Sequence, residues 1–281
     1  MSREAPAPAW LGAASGLVLG VLFLIPFAIM LAVSVGVRDG GGFFAWGFDP
    51  ASYARVLTGF VGGIIVASVA ISAGAALLAV ALALPFTVIL AGMTRRRQTV
   101  VLVVLLSVLS LSEVIVGFAV STLLSQTAGI GNLLAWAGLL DAPRAFTPSL
   151  LALMTGLAYL TFPYAVLVLY PPVARLDPEL AEAARTMGAS PLRTFLSVTV
   201  PALRAPIMGT LILVFVFALG SYLLPQVLGR PQHWTLSVHI TDQALFQSNL
   251  PFAAAMAVVL LVVTLVMVGL ALLLGRERGA S

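Results

Sequence analysis

Glu113 stands inside an apolar run, about Val100 to Leu124, where a carboxylate is out of place. An acid at the centre of a membrane-crossing helix costs at least ~2.5 kcal/mol to insert, so it faces other helices or a water-filled path. Two roles fit it: a counter-charge for a cationic substrate, or a structural acid hydrogen-bonded to Ser110, Ser112 or a neighbouring helix. Tyr159, Tyr164 and Tyr222 raise the same choice. An aromatic face attracts an organic cation, and Tyr also serves as an interface anchor at the ends of spans. Asp242 and Gln243, ahead of the last apolar run, read either as contacts to an outer gate or external partner or as solvated residues. His233 and His239 lie on a loop without Cys or carboxylate partners at ligand spacing, which argues against a metal site.

A second group of reactive side chains is gathered in Asp177–Pro201, the longest water-compatible helical stretch of the chain. Asp177 suits the N-cap and Pro178 the first helical position. Glu179 and Glu182 then lie near the positive end of the helix dipole. Gly188 ends this short helix by reversing the chain without a Cβ penalty. Ser190 and Pro191 repeat the cap-and-proline signal, and Pro201 closes the second short helix. So short a pair cannot bury a core of its own. It must lie on its own membrane domain or on a partner.

What is missing excludes much chemistry. All 14 basic residues are Arg, so a phosphate-loop lysine, a Schiff-base lysine and a Ser-Lys dyad are absent. There is no Cys, hence no disulfide, thiolate metal site or Cys nucleophile. No glycine-rich phosphate loop or other nucleotide site is evident, and nucleic-acid binding does not follow from a net charge of only +4.

The elements that hold these residues are apolar spans. The chain is 61% hydrophobic and 9% charged, against about a quarter charged in soluble domains. Its mean hydropathy is +1.12. A span needs about 20 apolar residues, and six runs qualify: about Trp10–Val35, Phe60–Gly92, Val100–Leu124, Pro148–Tyr170, Ile207–Val227 and Phe252–Leu274. Thr147-Pro148 reads as the cap of the fourth, and Gly229 to Pro251 as a loop. The expected fold is an all-α polytopic membrane protein of six transmembrane helices, one domain over 1–281, embedded in the lipid bilayer. With the N-terminus inside, Arg3, Arg95, Arg96, Arg97, Arg175, Arg185, Arg193, Arg204, Arg276 and Arg278 are inside, and Arg38, Arg55, Arg144 and Arg230 outside. Ten against four places both termini, and Asp177–Pro201, in the cytoplasm.

Glu182-Ala183-Ala184, then Gly188, then Val198-Thr199-Val200-Pro201 resembles the cytoplasmic loop of binding-protein-dependent ABC importer permeases. Every spacing fits that family's pattern, with Val200 in place of the usual Leu. The resemblance extends over about residues 60–274. Gly220-Ser221-Tyr222-Leu223-Leu224-Pro225-Gln226-Val227-Leu228-Gly229, with Gln243, Pro251-Phe252 and Gly131-Asn132-Leu133-Leu134, resembles the polyamine-type (spermidine/putrescine) subgroup. The run Leu109-Ser110-Leu111-Ser112-Glu113 departs from that subgroup, which often has a Pro-Phe ahead of the polar cluster and an Arg within it.

The resemblance implies a non-catalytic transport subunit of the bacterial inner membrane. Its first short helix is a coupling helix, in a loop of about residues 171–205, that docks on a cytoplasmic ABC ATPase dimer. The residues carried over to that contact are Glu182, Ala183, Ala184, Arg185, Gly188 and Pro201. ATP and Mg belong to the ATPase and no cofactor to this chain. A second permease subunit, most simply a different chain, and an external binding protein complete the set of partners. A self-contained secondary transporter or channel using Glu113 as its ion site is the rival reading, and the single intramembrane acid and the fitted loop weigh against it.

Overall fold

The structure is a computed structural model, and it describes residues 9–39, 44–127 and 129–277. In lipid every backbone N–H and C=O must be satisfied within its own segment, so the apolar runs become helices. In chain order these are α1 (Ala9–Ser34), α2 (Ala51–Val56), α3 (Gly59–Ala91), α4 (Arg95–Leu109), α5 (Glu113–Leu123), α6 (Ile130–Trp136) and α7 (Leu150–Ala174). Then follow α8 (Pro178–Thr186), α9 (Pro191–Thr194), a π-turn over Phe195–Thr199, α10 (Val200–Ala202), α11 (Arg204–Gly220), α12 (Leu223–Leu228), α13 (Leu236–Thr241) and α14 (Leu250–Glu277). Outside the helices, Val37 and Ala45 form an isolated antiparallel bridge. Arg3 and Arg278 lie outside the described residues, as does the side chain of Arg276.

Among the described residues, four helices are long and apolar enough to cross a membrane unbroken, and the number of spans is up to six if each of two bent helix pairs counts as one. The third apolar run is not one helix. It breaks between Leu109 and Glu113, and α4 and α5 meet at 97°. The hydroxyl of Ser112 caps α5 by accepting from the Ile115 N–H at 3.4 Å, so Glu113 opens a helix rather than lying mid-span. The fifth run also differs. Pro201 does not close the second short helix: it sits at the second position of α10, in a first turn where a missing N–H is tolerated, the helical path runs on to Ala202, and the 77° bend falls at Leu203. At its far end α11 stops at Gly220, and Leu223–Leu228 is a separate helix. The stretch from Gly229 to Pro251 is largely helical, not a loop. Ser149, not Thr147, caps α7, accepting from the Ala152 N–H at 3.1 Å.

The chain divides into two compact units. One comprises the described residues up to Gly62 together with His239–Val262. In it, Ser34 and Tyr53 share a 2.7 Å hydroxyl–hydroxyl bond, and the Arg55 guanidinium lies 4.3 Å over the Phe252 ring. Asp49 accepts from the Ala51 N–H at 2.9 Å and so fixes the start of α2.

The other unit, Gly63–Val238 with the chain from Val263, holds two apolar clusters. In the first, Ala79 and Ala83 of α3 meet Ala165, Val166 and Leu169 of α7, with Val214 of α11. In the second, Val116 and Val120 of α5 pack with Leu153 and Leu157 of α7 and Leu224 and Leu228 of α12. The α3–α4 turn is held by buried Gln98. Its amide donates to the carbonyls of Ala91 (2.8 Å) and Met93 (2.9 Å), and its oxygen accepts from the Tyr170 hydroxyl at 2.9 Å.

Candidate functional site

Two broken elements assemble the surroundings of Glu113. The α4–α5 break puts its carboxylate at the N-terminus of α5, where the helix dipole favours a negative charge. The break between α11 and α12 supplies donors. The Ser221 hydroxyl donates to Glu113 Oε1, and the Leu224 N–H in the first turn of α12 donates to the same oxygen at 3.1 Å. Two residues more than 100 positions from Glu113 thus join the break of one span to the break of another. Among the described residues, Oε2 makes no hydrogen bond.

A cavity of about 200 Å³ opens beside the carboxylate, lined by Val108, Leu111, Glu113, Tyr159, Tyr164 and Phe217 among others. The Tyr164 and Phe217 rings lie 4.7 Å apart. The lining is therefore one acid among aromatic and aliphatic walls, a surface that suits a cation with an apolar body. Of the residues singled out in the sequence, Glu113, Tyr159 and Tyr164 come together here. Tyr222 does not line the cavity, although it lies between Ser221 and α12. Asp242 belongs to the other unit, where it opens a π-turn over Asp242–Phe246 and its carbonyl accepts from the Gln247 N–H at 3.0 Å. Beside it, burial pushes the His239 imidazole below its ordinary value, and the Asp242 charge acts in the opposite direction.

The loop after α7 forms the second candidate. Asp177 caps α8 as its position requires, accepting from the Glu179 N–H at 3.0 Å. At the other end Gly188 adopts φ +85°. Its N–H donates to the Arg185 carbonyl at 2.9 Å, and the Ala189 N–H donates to the Ala184 carbonyl at 3.1 Å. This pair of bonds is the Schellman closure, and it requires a left-handed residue at Gly188. Ser190 then caps α9 through the Arg193 N–H at 3.3 Å.

Glu182, Ala183 and Arg185 are exposed on α8, whereas Ala184, 6% exposed, is packed into its own chain. The exposed apolar stripe is a different one. Leu180 (47% exposed), Ala183 and Met187 (83% exposed) stand at i, i+3 and i+7 on one face. That spacing is readable in the sequence, but Leu180 and Met187 lie outside the Glu-Ala-Ala triplet that carries the family resemblance. Ser221 and the Leu224 N–H carry no comparable signal, because no periodicity pairs them with Glu113.

The sequence profile of the family described as binding-protein-dependent transport system inner membrane component matches residues 6–278. The spermidine/putrescine transport system permease protein PotB of Escherichia coli (strain K12) is 29% identical over 246 residues, covering 86% of this chain and 89% of its own. The protein of the same name from Haemophilus influenzae is 26% identical over 235 residues, 84% of this chain and 82% of its own. Among solved structures, a bacterial ABC transporter involved in import of the acidic polysaccharide alginate matches with a TM-score of 0.73 at 18% identity, over 95% of this chain and 96% of that one. A bacterial alginate ABC transporter in complex with its pentasaccharide-bound periplasmic protein matches with a TM-score of 0.76 at 20% identity, over 97% and 96%. At such identities these structures share the fold alone.

Proposed function

The chain belongs to the family of binding-protein-dependent transport system inner membrane components, and from that premise we propose that it passes a polyamine or a similar small organic cation across the membrane. It is a multi-pass permease of an ABC importer and does no catalysis itself. Importers of this kind work with an ATPase and a substrate-binding protein.

The observation that carries the choice of cargo is the Glu113 carboxylate in an aromatic-walled cavity. One oxygen is held by Ser221 and the Leu224 N–H, which fixes the charge in place, and the other is left to meet an ammonium group. Tyr159 and Tyr164 offer faces to the methylene body and to the charge. An acid in this position repels a polyanion such as alginate. The likeness to PotB over most of both chains supports the same reading.

Energy enters at the other candidate site. The exposed stripe of Leu180, Ala183 and Met187, flanked by Glu182 and Arg185, is the face of α8 that docks on the cytoplasmic ATPase. Ala184 is buried within this chain, and α8 packs on α9 and the π-turn, which lead through α10 into α11, so movement of α8 is passed to α11. Gly188 acts through the turn, where its φ of +85° favours a residue without Cβ. ATP and Mg are held by the ATPase, and a second, related permease subunit completes the pathway. The Arg distribution supports cytoplasmic termini and a cytoplasmic α8.

The test of the cargo is binding-protein-dependent uptake of spermidine and putrescine by the assembled importer and its Glu113→Gln variant. Uptake lost in the variant, with the complex intact, supports the reading; equal uptake by both removes Glu113 from it.

A further inference from the structure

We propose that Arg96 and Arg97 form a binding site for an anionic phospholipid at the α3–α4 turn. Three consecutive arginines occupy the first turn of α4, the positive end of the helix dipole, where basic side chains have the unfavourable sign. No acid lies in that turn, the Thr94 side chain does not cap it, and among the described residues no carboxylate pairs with these arginines. The charge is left for an external anion to balance.

The surroundings say which anion. Arg96 and Arg97 line a groove of about 420 Å³ with Met93, Val100 and Val101. From each guanidinium an apolar strip continues along the helix at i+4 and i+7: Val100 and Val103 from Arg96, Val101 and Val104 from Arg97. Val100, Val103 and Val104 are all more than half exposed in this chain. A cationic head followed by a hydrocarbon wall is the complement of a phospholipid, and neither a free phosphate nor an acidic peptide needs the second half. Guanidinium binds phosphate oxygens in a bidentate fork.

Depth agrees. The turn lies between the end of the apolar helix α3 at Ala91 and the start of α4 at Arg95, and basic residues that flank an apolar span belong at the headgroup level. The groove is also held in shape before any lipid arrives, because Gln98 ties the turn to Tyr170 of α7. A bound lipid would therefore brace the turn next to the helix that leads into α8.

The test uses the complete importer in phosphatidylcholine vesicles with or without phosphatidylglycerol, probed with photoactivatable forms of both lipids. Phosphatidylglycerol is expected to label residues 93–104 in preference to phosphatidylcholine, and Arg96→Gln with Arg97→Gln to reduce that labelling about tenfold or more. Arg96→Lys with Arg97→Lys, which keeps the charge and loses the fork, should retain more of it than the Gln pair, which separates charge from misfolding. Excess inorganic phosphate should not displace the lipid. Equal labelling by the two lipids in the unaltered importer, or undiminished labelling in the double Gln variant, overturns the proposal. So does displacement by phosphate alone. Loss of the ATPase from the double variant with lipid labelling unchanged would assign these arginines to a protein contact, and that also overturns it.

Discussion

The Glu113 carboxylate has two tasks that a single substitution can separate. Gln keeps an oxygen to accept from Ser221 and the Leu224 N–H, so the join between the two breaks survives. The charge is lost. Partly desolvated ion pairs are worth a few kcal/mol at short range, so Glu113→Gln should lower uptake of a divalent amine by about tenfold or more, each tenfold corresponding to ~1.4 kcal/mol. Ser221→Ala acts the other way, keeping the charge and removing a donor. It should lower the unfolding midpoint of the complex in detergent, at a cost of about 1.5–3 kcal/mol for a hydrogen bond to a charged group. Two glycines show how backbone demands appear at this scale. Gly188→Ala forces a Cβ onto a residue at φ +85° and should cost about 1–2 kcal/mol without touching a neighbour. Gly131 is different, because a Cβ there would lie 2.3 Å from the Arg144 carbonyl oxygen. In the sequence it was only part of a family pattern; the close backbone supplies its reason.

Among the elements, α8 carries the clearest expectation. Replacing Leu180 or Met187 with Glu leaves the caps at Asp177 and Gly188 in place and puts a charge in the apolar stripe. Each variant should retain its helix and lose most of the co-purifying ATPase, which pull-down through the permease measures. Substituting Arg175, outside the stripe, should not have that effect. The caps of this loop were legible because each depends on one or two neighbouring residues: Asp177 with Pro178, Gly188 alone, Ser190 with Pro191. The six apolar runs were legible for the same reason, since length and hydropathy are local. The breaks were harder. An unbroken run from Val100 to Leu124 hides the bend, although Ser112 followed by Glu113 is the signature of a helix start. Ser112→Ala should therefore weaken the start of α5 by about 1 kcal/mol. Pro201 misled in the opposite direction. Proline usually marks an end, but within the first turn of a helical segment, where Pro201 sits, its missing N–H is tolerated.

For the whole molecule, local reading stops where distant parts meet. The hydroxyl of Ser221 and the amide of Leu224 reach Glu113 across more than 100 residues, and Gln98 reaches Tyr170 across 72. Neither pairing leaves a periodic trace. The division of labour we propose gives cargo recognition to Glu113 and energy input to α8. An importer built this way moves its substrate only when the ATPase and the binding protein are both engaged. The most direct measurement is spermidine uptake into proteoliposomes holding this permease, its companion permease and their ATPase, with the binding protein on the substrate side. The account predicts uptake that requires ATP and the binding protein together and is lost in Met187→Glu, which puts a charge in the exposed apolar stripe of α8. Uptake by this chain alone, driven by an ion gradient and indifferent to ATP, would contradict it.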